Sequence, residues 1–187
     1  MGSSMKRPAL AVLAGTAAMV VWGMLFWGLL GPKLGVYQTL PGAEDVTRLL
    51  QANQVQTGSY FVPWPRDTPE AFARFVAHHQ AGSFYELRYL KEGVDPNSPA
   101  KILFGCFHYL TVALLAVALL LLARPRTFGK RLGLVMLAGL LGSDFITLAE
   151  PIWFHLPWDH VRAELVYEGV SWLLLGAATA GTLKFEA

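Results

Sequence analysis

The chain has 187 residues, of which 54% are hydrophobic and only 15% charged, with a mean hydropathy of +0.42 and a formal net charge of +2. Soluble domains carry about 25% charged residues, so this composition excludes an ordinary soluble globule. The small positive excess forms no basic stripe interleaved with aromatics, which excludes nucleic acid as a partner. The single cysteine, Cys106, excludes an internal disulfide and leaves the redox compartment open.

Residues 1–4, Met1 to Ser4, read as a cloning remnant ahead of a natural start at Met5. A first uncharged run, 9–31, is long enough for a membrane helix, which needs roughly 20 apolar residues. Lys6 and Arg7 give it a basic start. It runs on through Trp22, Phe26 and Trp27, well past an ordinary signal core, and is expected to be an uncleaved anchor.

Residues 36–100 then read as a small α/β unit in the order helix, strand, helix, strand. Val46, Leu49 and Leu50 stand at helical spacing within 41–53, and Gly58 to Val62 is a strand ended by Pro63 and Pro65. Asp67-Thr68-Pro69-Glu70 is a helix start, with a threonine cap, a proline in the first turn and an acid near the positive end. Tyr85, Leu87 and Tyr89 alternate with Glu86 and Arg88 as in a half-buried strand. His78 and His79 are expected to be structural, because neighbours on a helix diverge by about 100° and cannot share an ion. A unit of this size buries little surface alone, so it is expected to lean on membrane helices, lipid headgroups or a protein partner. Trp64 is its most suggestive exposed aromatic.

Three further spans are predicted at 102–123, 132–149 and 165–183, with an aromatic outer loop at 150–164. The fold class is therefore a mainly α membrane protein, a four-helix transmembrane bundle with an αβαβ insert between the first two spans. Small residues four apart favour close helix packing: Ala14 with Ala18, Gly139 with Ser143, Gly176 with Ala180, Ala177 with Gly181. Arg124, Arg126, Lys130 and Arg131 fill the connection between the second and third spans, and Lys184 follows the fourth. By the positive-inside rule both termini face the cytoplasm, and 36–100 lies outside it.

Three ionisable residues fall within apolar runs at one outer-leaflet depth: His108, Asp144 and Glu168. Charge at such a position costs about 2.5–3.5 kcal/mol near a helix centre, so the three are expected to point inward, with Tyr109, Tyr167 and Ser171 as neighbours. If Asp159 caps the fourth helix, His160, Glu164 and Glu168 form one stripe at four-residue spacing. His155 and Glu150 lie in the adjoining loop. Two readings of this layer stand. In one, it is helix-to-helix glue. In the other, it binds a lipid, a quinone headgroup or a metal ion such as zinc, iron or manganese. Trp27, Trp153 and Trp158 either anchor at the interface or rim a lateral pocket.

The run Trp22-Gly23, Phe26-Trp27-Gly28 and Gly31-Pro32, followed by Gly58 to Pro63 and by Ser98-Pro99 before the second span, resembles uncharacterised bacterial four-span inner-membrane proteins. The resemblance implies a bacterial origin and this topology, and no activity. The first functional expectation is a non-enzymatic accessory protein presenting 36–100 to a partner or to lipid. The second is a binding or transport-like protein, with a homo-oligomer supplying missing helices. The third is an intramembrane enzyme pairing His108 with a carboxylate.

Overall fold

The computed structural model describes residues 6–64, 68–82 and 84–185. Residues 1–4 and Asp67 of the predicted helix start lie outside these. The chain divides into two compact units, 39–96 and the remainder.

The larger unit is helical. Helix α1 covers Lys6–Leu25 and passes into a π-helical turn, Phe26–Leu30, then a short helix α2, Gly31–Lys33. The cause of the widened turn is local. Pro32 has no N–H to donate and its ring crowds the carbonyl four residues back, and a wide turn is one way a helix absorbs such a break. Within the smaller unit come α3 (Ala43–Ala52), β1 (Gly58–Val62), α4 (Pro69–Ala81) and β2 (Tyr85–Tyr89). The larger unit resumes with α5 (Pro99–Ala123), α6 (Phe128–Thr147), α7 (Ala149–Trp153) and α8 (Trp158–Thr182).

Three stretches are long and apolar enough to cross a membrane: Lys6–Lys33, Pro99–Ala123 and Phe128–Trp153. Helix α8 is as long as α5 but is not among them. Where the sequence suggested a loop across 150–164, the chain is helical at 149–153 and again from Trp158. Pro151 does not end the third helix, because it sits in the first turn of α7, where no N–H is needed.

The closest helix pairs are α6 with α8, α1 with α8 and α1 with α5. Their contact faces are stripes of residues four apart. On α6 the buried residues are Arg131, Val135, Gly139, Ser143 and Thr147. Opposite them on α8 run Ala180, Gly176, Trp172 and Glu168, also four apart, so one straight ridge faces another. A Cβ on Gly139 would fall inside the Trp172 indole, and one on Gly176 would lie 2.8 Å from Leu132 Cδ1. On α1 the stripe is Ala11, Gly15, Met19 and Gly23. Gly15 admits Leu175 of α8, and Gly23 admits the Tyr109 hydroxyl of α5. Gly139–Ser143 and Gly176–Ala180 thus lie at buried contacts as the spacing predicts. Ala14 and Ala18 do not: they are only half-buried beside the Gly15 stripe.

Arg131 is a buried cation without a carboxylate partner among the described residues. It is 6% exposed. Its Nε donates to the Ala180 carbonyl at 3.0 Å, and its Nη1 to the carbonyls of Pro125 (3.3 Å) and Arg126 (2.8 Å). Ala180 lies in the last turn of α8, where carbonyls have no helical donor and the helix dipole is negative. One side chain therefore ties the α5–α6 connection to the end of α8.

The smaller unit is an antiparallel two-stranded sheet with a helix before each strand, in register Gly58↔Tyr89, Tyr60↔Leu87 and Val62↔Tyr85. The Thr68 hydroxyl caps α4 by accepting from Ala71 N at 3.2 Å, with Pro69 next to it. His79 lies against the rings of Phe75 and Phe84. Thr57 donates to Glu92 at 2.8 Å and accepts from Lys91 N at 3.0 Å, joining the approach to β1 to the turn after β2. The Thr57 hydroxyl, before all else, holds the Glu92 carboxyl below its ordinary value. A lowered folded-state value favours the ionised fold, so this contribution is complete above the unfolded glutamate pKa and fades as pH falls through the folded one. Thr57→Val is expected to raise the Glu92 carboxyl titration, followed by NMR, toward the ordinary glutamate range. An unchanged titration would refute the Thr57 cause.

Candidate functional site

Helix α8 starts at Trp158 after an extended Pro157, so Asp159 lies inside the first turn instead of capping it and pairs with Arg162 at 2.9 Å. From there the stripe His160, Glu164, Tyr167 and Ser171 climbs one side of the helix. The His160 ring bridges two acceptors: Nδ1 meets the Val36 carbonyl at 3.0 Å and Nε2 meets Glu164 Oε1 at 3.2 Å. A carbonyl and a carboxylate both need a donor, so holding the two bonds together takes a proton on each ring nitrogen or on Glu164. The Tyr37 ring stands edge-on to the imidazole, 5.2 Å away. His160 thereby ties the turn after α2 to the first turns of α8.

One helical turn further on, Tyr167 is the centre of an aromatic cluster. Its ring meets Trp22 at 6.5 Å, Phe26 at 5.1 Å and Trp27 at 5.3 Å between centroids. The Trp22 indole N–H donates to the Tyr167 carbonyl at 3.0 Å, which also accepts from the Ser171 hydroxyl at 2.7 Å. The Tyr167 hydroxyl lies 2.6 Å from that of Tyr109 on α5. Phe26, at the head of the π-helical turn, is 1% exposed beneath this cluster. Three helices thus meet at one hydrogen-bonded aromatic layer, and Gly23 makes room for its Tyr109 hydroxyl.

About 100° round α8 from Tyr167, Glu168 faces α6. Its Oε1 accepts from the Thr147 hydroxyl at 2.8 Å, and its buried Oε2 has no hydrogen-bond partner among the described residues. A buried acceptor without a donor costs about 1–3 kcal/mol.

The predicted residues therefore divide. Tyr109, Tyr167 and Trp27 come together, His160 joins Glu164, and Glu168 turns into the α6–α8 contact. His108 stands exposed on α5, its ring 5.5 Å from that of Tyr109, and Asp144 stands exposed on α6. The reason is helical phase. Tyr109 takes the inward position on α5, leaving His108 about 100° away, and Ser143 and Thr147 do the same to Asp144. Among the described residues no three His, Cys, Asp or Glu side chains gather where a metal ion could be held. Trp153 and Trp158 are exposed, at 73% and 52%. Cys106 is a half-buried free thiol on α5.

Trp22, Phe26, Thr147 and Arg131 belong to these networks although the sequence reading did not single them out as site residues. Trp22 and Phe26 were readable: they are four apart and in phase with the Gly15–Gly23 stripe. Comparisons with protein-family models, curated proteins and solved structures find no match to this chain.

Proposed function

We propose that the chain is a four-span protein of the bacterial inner membrane, with both termini cytoplasmic, acting without catalysis as an accessory subunit that docks a protein partner through its 39–96 unit outside the cytoplasm. The topology rests on the three apolar stretches and on the lysines and arginines at 6–7, 124–131 and 184. Helix α8 has 25 residues, which at about 1.5 Å each exceeds the roughly 30 Å of a hydrocarbon core. The residues that lower its apolarity, His160, Glu164 and Glu168, are engaged with protein groups.

The observation that carries the docking role is the absence of any buried residue among the described residues of 39–96. Leu49 (63%), Trp64 (68%) and Phe72 (55%) are exposed there. Exposed apolar side chains in such number mark an interaction surface, and a two-stranded sheet is marginal without a covering partner. The partner's chemistry follows from charge. Within 39–96 seven acidic residues outnumber five basic ones, so anionic headgroups are repelled and a protein with an apolar, basic-rimmed face fits better.

The expected result in native membranes is that a photocrosslinker at Leu49 or Phe72 captures one recurrent protein, and that Leu49→Ser with Phe72→Ser abolishes capture from a third site without changing the chain's level in the membrane. Capture of many unrelated neighbours, or of a second copy alone, would contradict the accessory role. A ligand-binding reading is favoured by one feature, the unpartnered Glu168 Oε2 at the α6–α8 contact. A defined lipid or quinone adduct removed by Glu168→Gln, with crosslinking unaffected, would support that reading instead.

A further inference from the structure

At the opposite end of the bundle from the aromatic layer, α1 and α5 leave a groove between them. Its walls are Pro8, Ala9 and Val12 from the first turns of α1, and Leu114, Ala118 and Leu121 from the second half of α5. The small side chains of Ala9 and Ala118 lie on its two walls, and the groove has a volume of about 370 Å³. It is apolar throughout. From Leu114 to Leu121 it runs about 10 Å at ~1.5 Å per residue, within the depth of one leaflet.

Cations flank the groove's lining residues in the chain. Lys6 and Arg7 immediately precede Pro8 on α1, and Arg124, the C-terminal cap of α5, follows Leu121 by three residues. All three are exposed. No acidic residue occurs in the chain before Glu44 or between Arg124 and Arg131, so nothing in sequence beside these cations neutralises them.

We infer that this groove holds an anionic phospholipid, one acyl chain lying between α1 and α5 and the headgroup phosphate meeting Lys6, Arg7 and Arg124. An acyl chain matches a groove that is apolar, open at its side and one leaflet deep. The cations select a lipid with net negative charge, since each basic side chain near the surface favours an anionic headgroup. A second copy of the chain is the poorer occupant, because a symmetric contact would bring both sets of cations together with no acid between them. The inference requires only that α1 and α5 be membrane helices, so it stands or falls separately from the docking role of 39–96.

Native mass spectrometry on the detergent-purified full chain tests it, with phosphatidylglycerol and phosphatidylcholine as probes. The expected result is about tenfold greater retention of phosphatidylglycerol, the scale set by one to two interfacial cations. Ala118→Trp, which fills the groove from an exposed position, should remove that adduct. Leu122→Trp, at a position 86% exposed and outside the groove, should leave it. Arg7→Gln with Arg124→Gln should reduce phosphatidylglycerol to the phosphatidylcholine level. If Ala118→Trp fails to accumulate, Ala9→Trp on the facing wall gives the same readout. Equal retention of the two lipids, or an adduct that survives a filled groove, would overturn the inference. So would an efficient crosslink between two copies through Ala118→Cys.

Discussion

Arg131→Met should cost the bundle about 4 kcal/mol of stability. Hydrogen bonds from a charged group contribute about 1.5–3 kcal/mol each, and Arg131 makes three. Its removal leaves the carbonyls of Ala180, Pro125 and Arg126 facing a methionine, and water reaching the helix ends offsets part of the loss. Lysine is the informative control. It keeps the charge but has no planar fork to span three acceptors, so Arg131→Lys is expected to recover roughly half. Unfolding in mixed detergent and denaturant measures both. A loss below about 1 kcal/mol for Met would mean that solvent already satisfies these carbonyls, and that α8 is held by packing alone.

Gly139→Leu is expected to be as damaging for a different reason. The first side-chain atom added at 139 would occupy the space of the Trp172 ring, so α6 and α8 must separate along their whole shared ridge. Overpacking a fitted contact costs about 1–3 kcal/mol and sometimes more, and even Gly139→Ala should fall in that range. Gly142 lies on the same helix with no neighbour within 4 Å of an added Cβ. Gly142→Ala should therefore be neutral or gain about 0.5–1 kcal/mol from helix propensity. Combining Gly139→Leu with Trp172→Ala should be less than additive, with a coupling of about 0.5–3 kcal/mol. Full additivity would separate Gly139 from Trp172 and refute the ridge-to-ridge contact.

Period and local chemistry made much of this chain legible. The strands at 58–62 and 85–89 follow from alternation bounded by prolines and glycines, and the start of α4 from its threonine, proline and glutamate. Apolar length alone marks the three stretches long and apolar enough to cross a membrane. Helix α8 is not among them, since residues such as His160, Glu164 and Glu168 dilute its apolarity, and packing shows these three engaged with protein groups. His108 and Asp144 stand exposed where the sequence analysis expects them to point inward. Depth in the membrane can be read by counting residues from a helix end, but rotation about the axis cannot, and one residue of phase separates an inward Tyr109 from an outward His108. Arg131 was read only as an orientation signal. Its pairing with the Ala180 carbonyl joins residues 49 positions apart, and no local pattern encodes that.

The proposed docking role depends on which side of the membrane each connection occupies. On a Cys106→Ser background, single cysteines at Glu70, Thr127 and Lys184 can be labelled in spheroplasts with a membrane-impermeant maleimide. Glu70→Cys should react at once, whereas Thr127→Cys and Lys184→Cys should react only after permeabilisation. Labelling of Lys184→Cys from outside would show that α8 does not cross, and protection of Glu70→Cys would put the 39–96 unit in the cytosol.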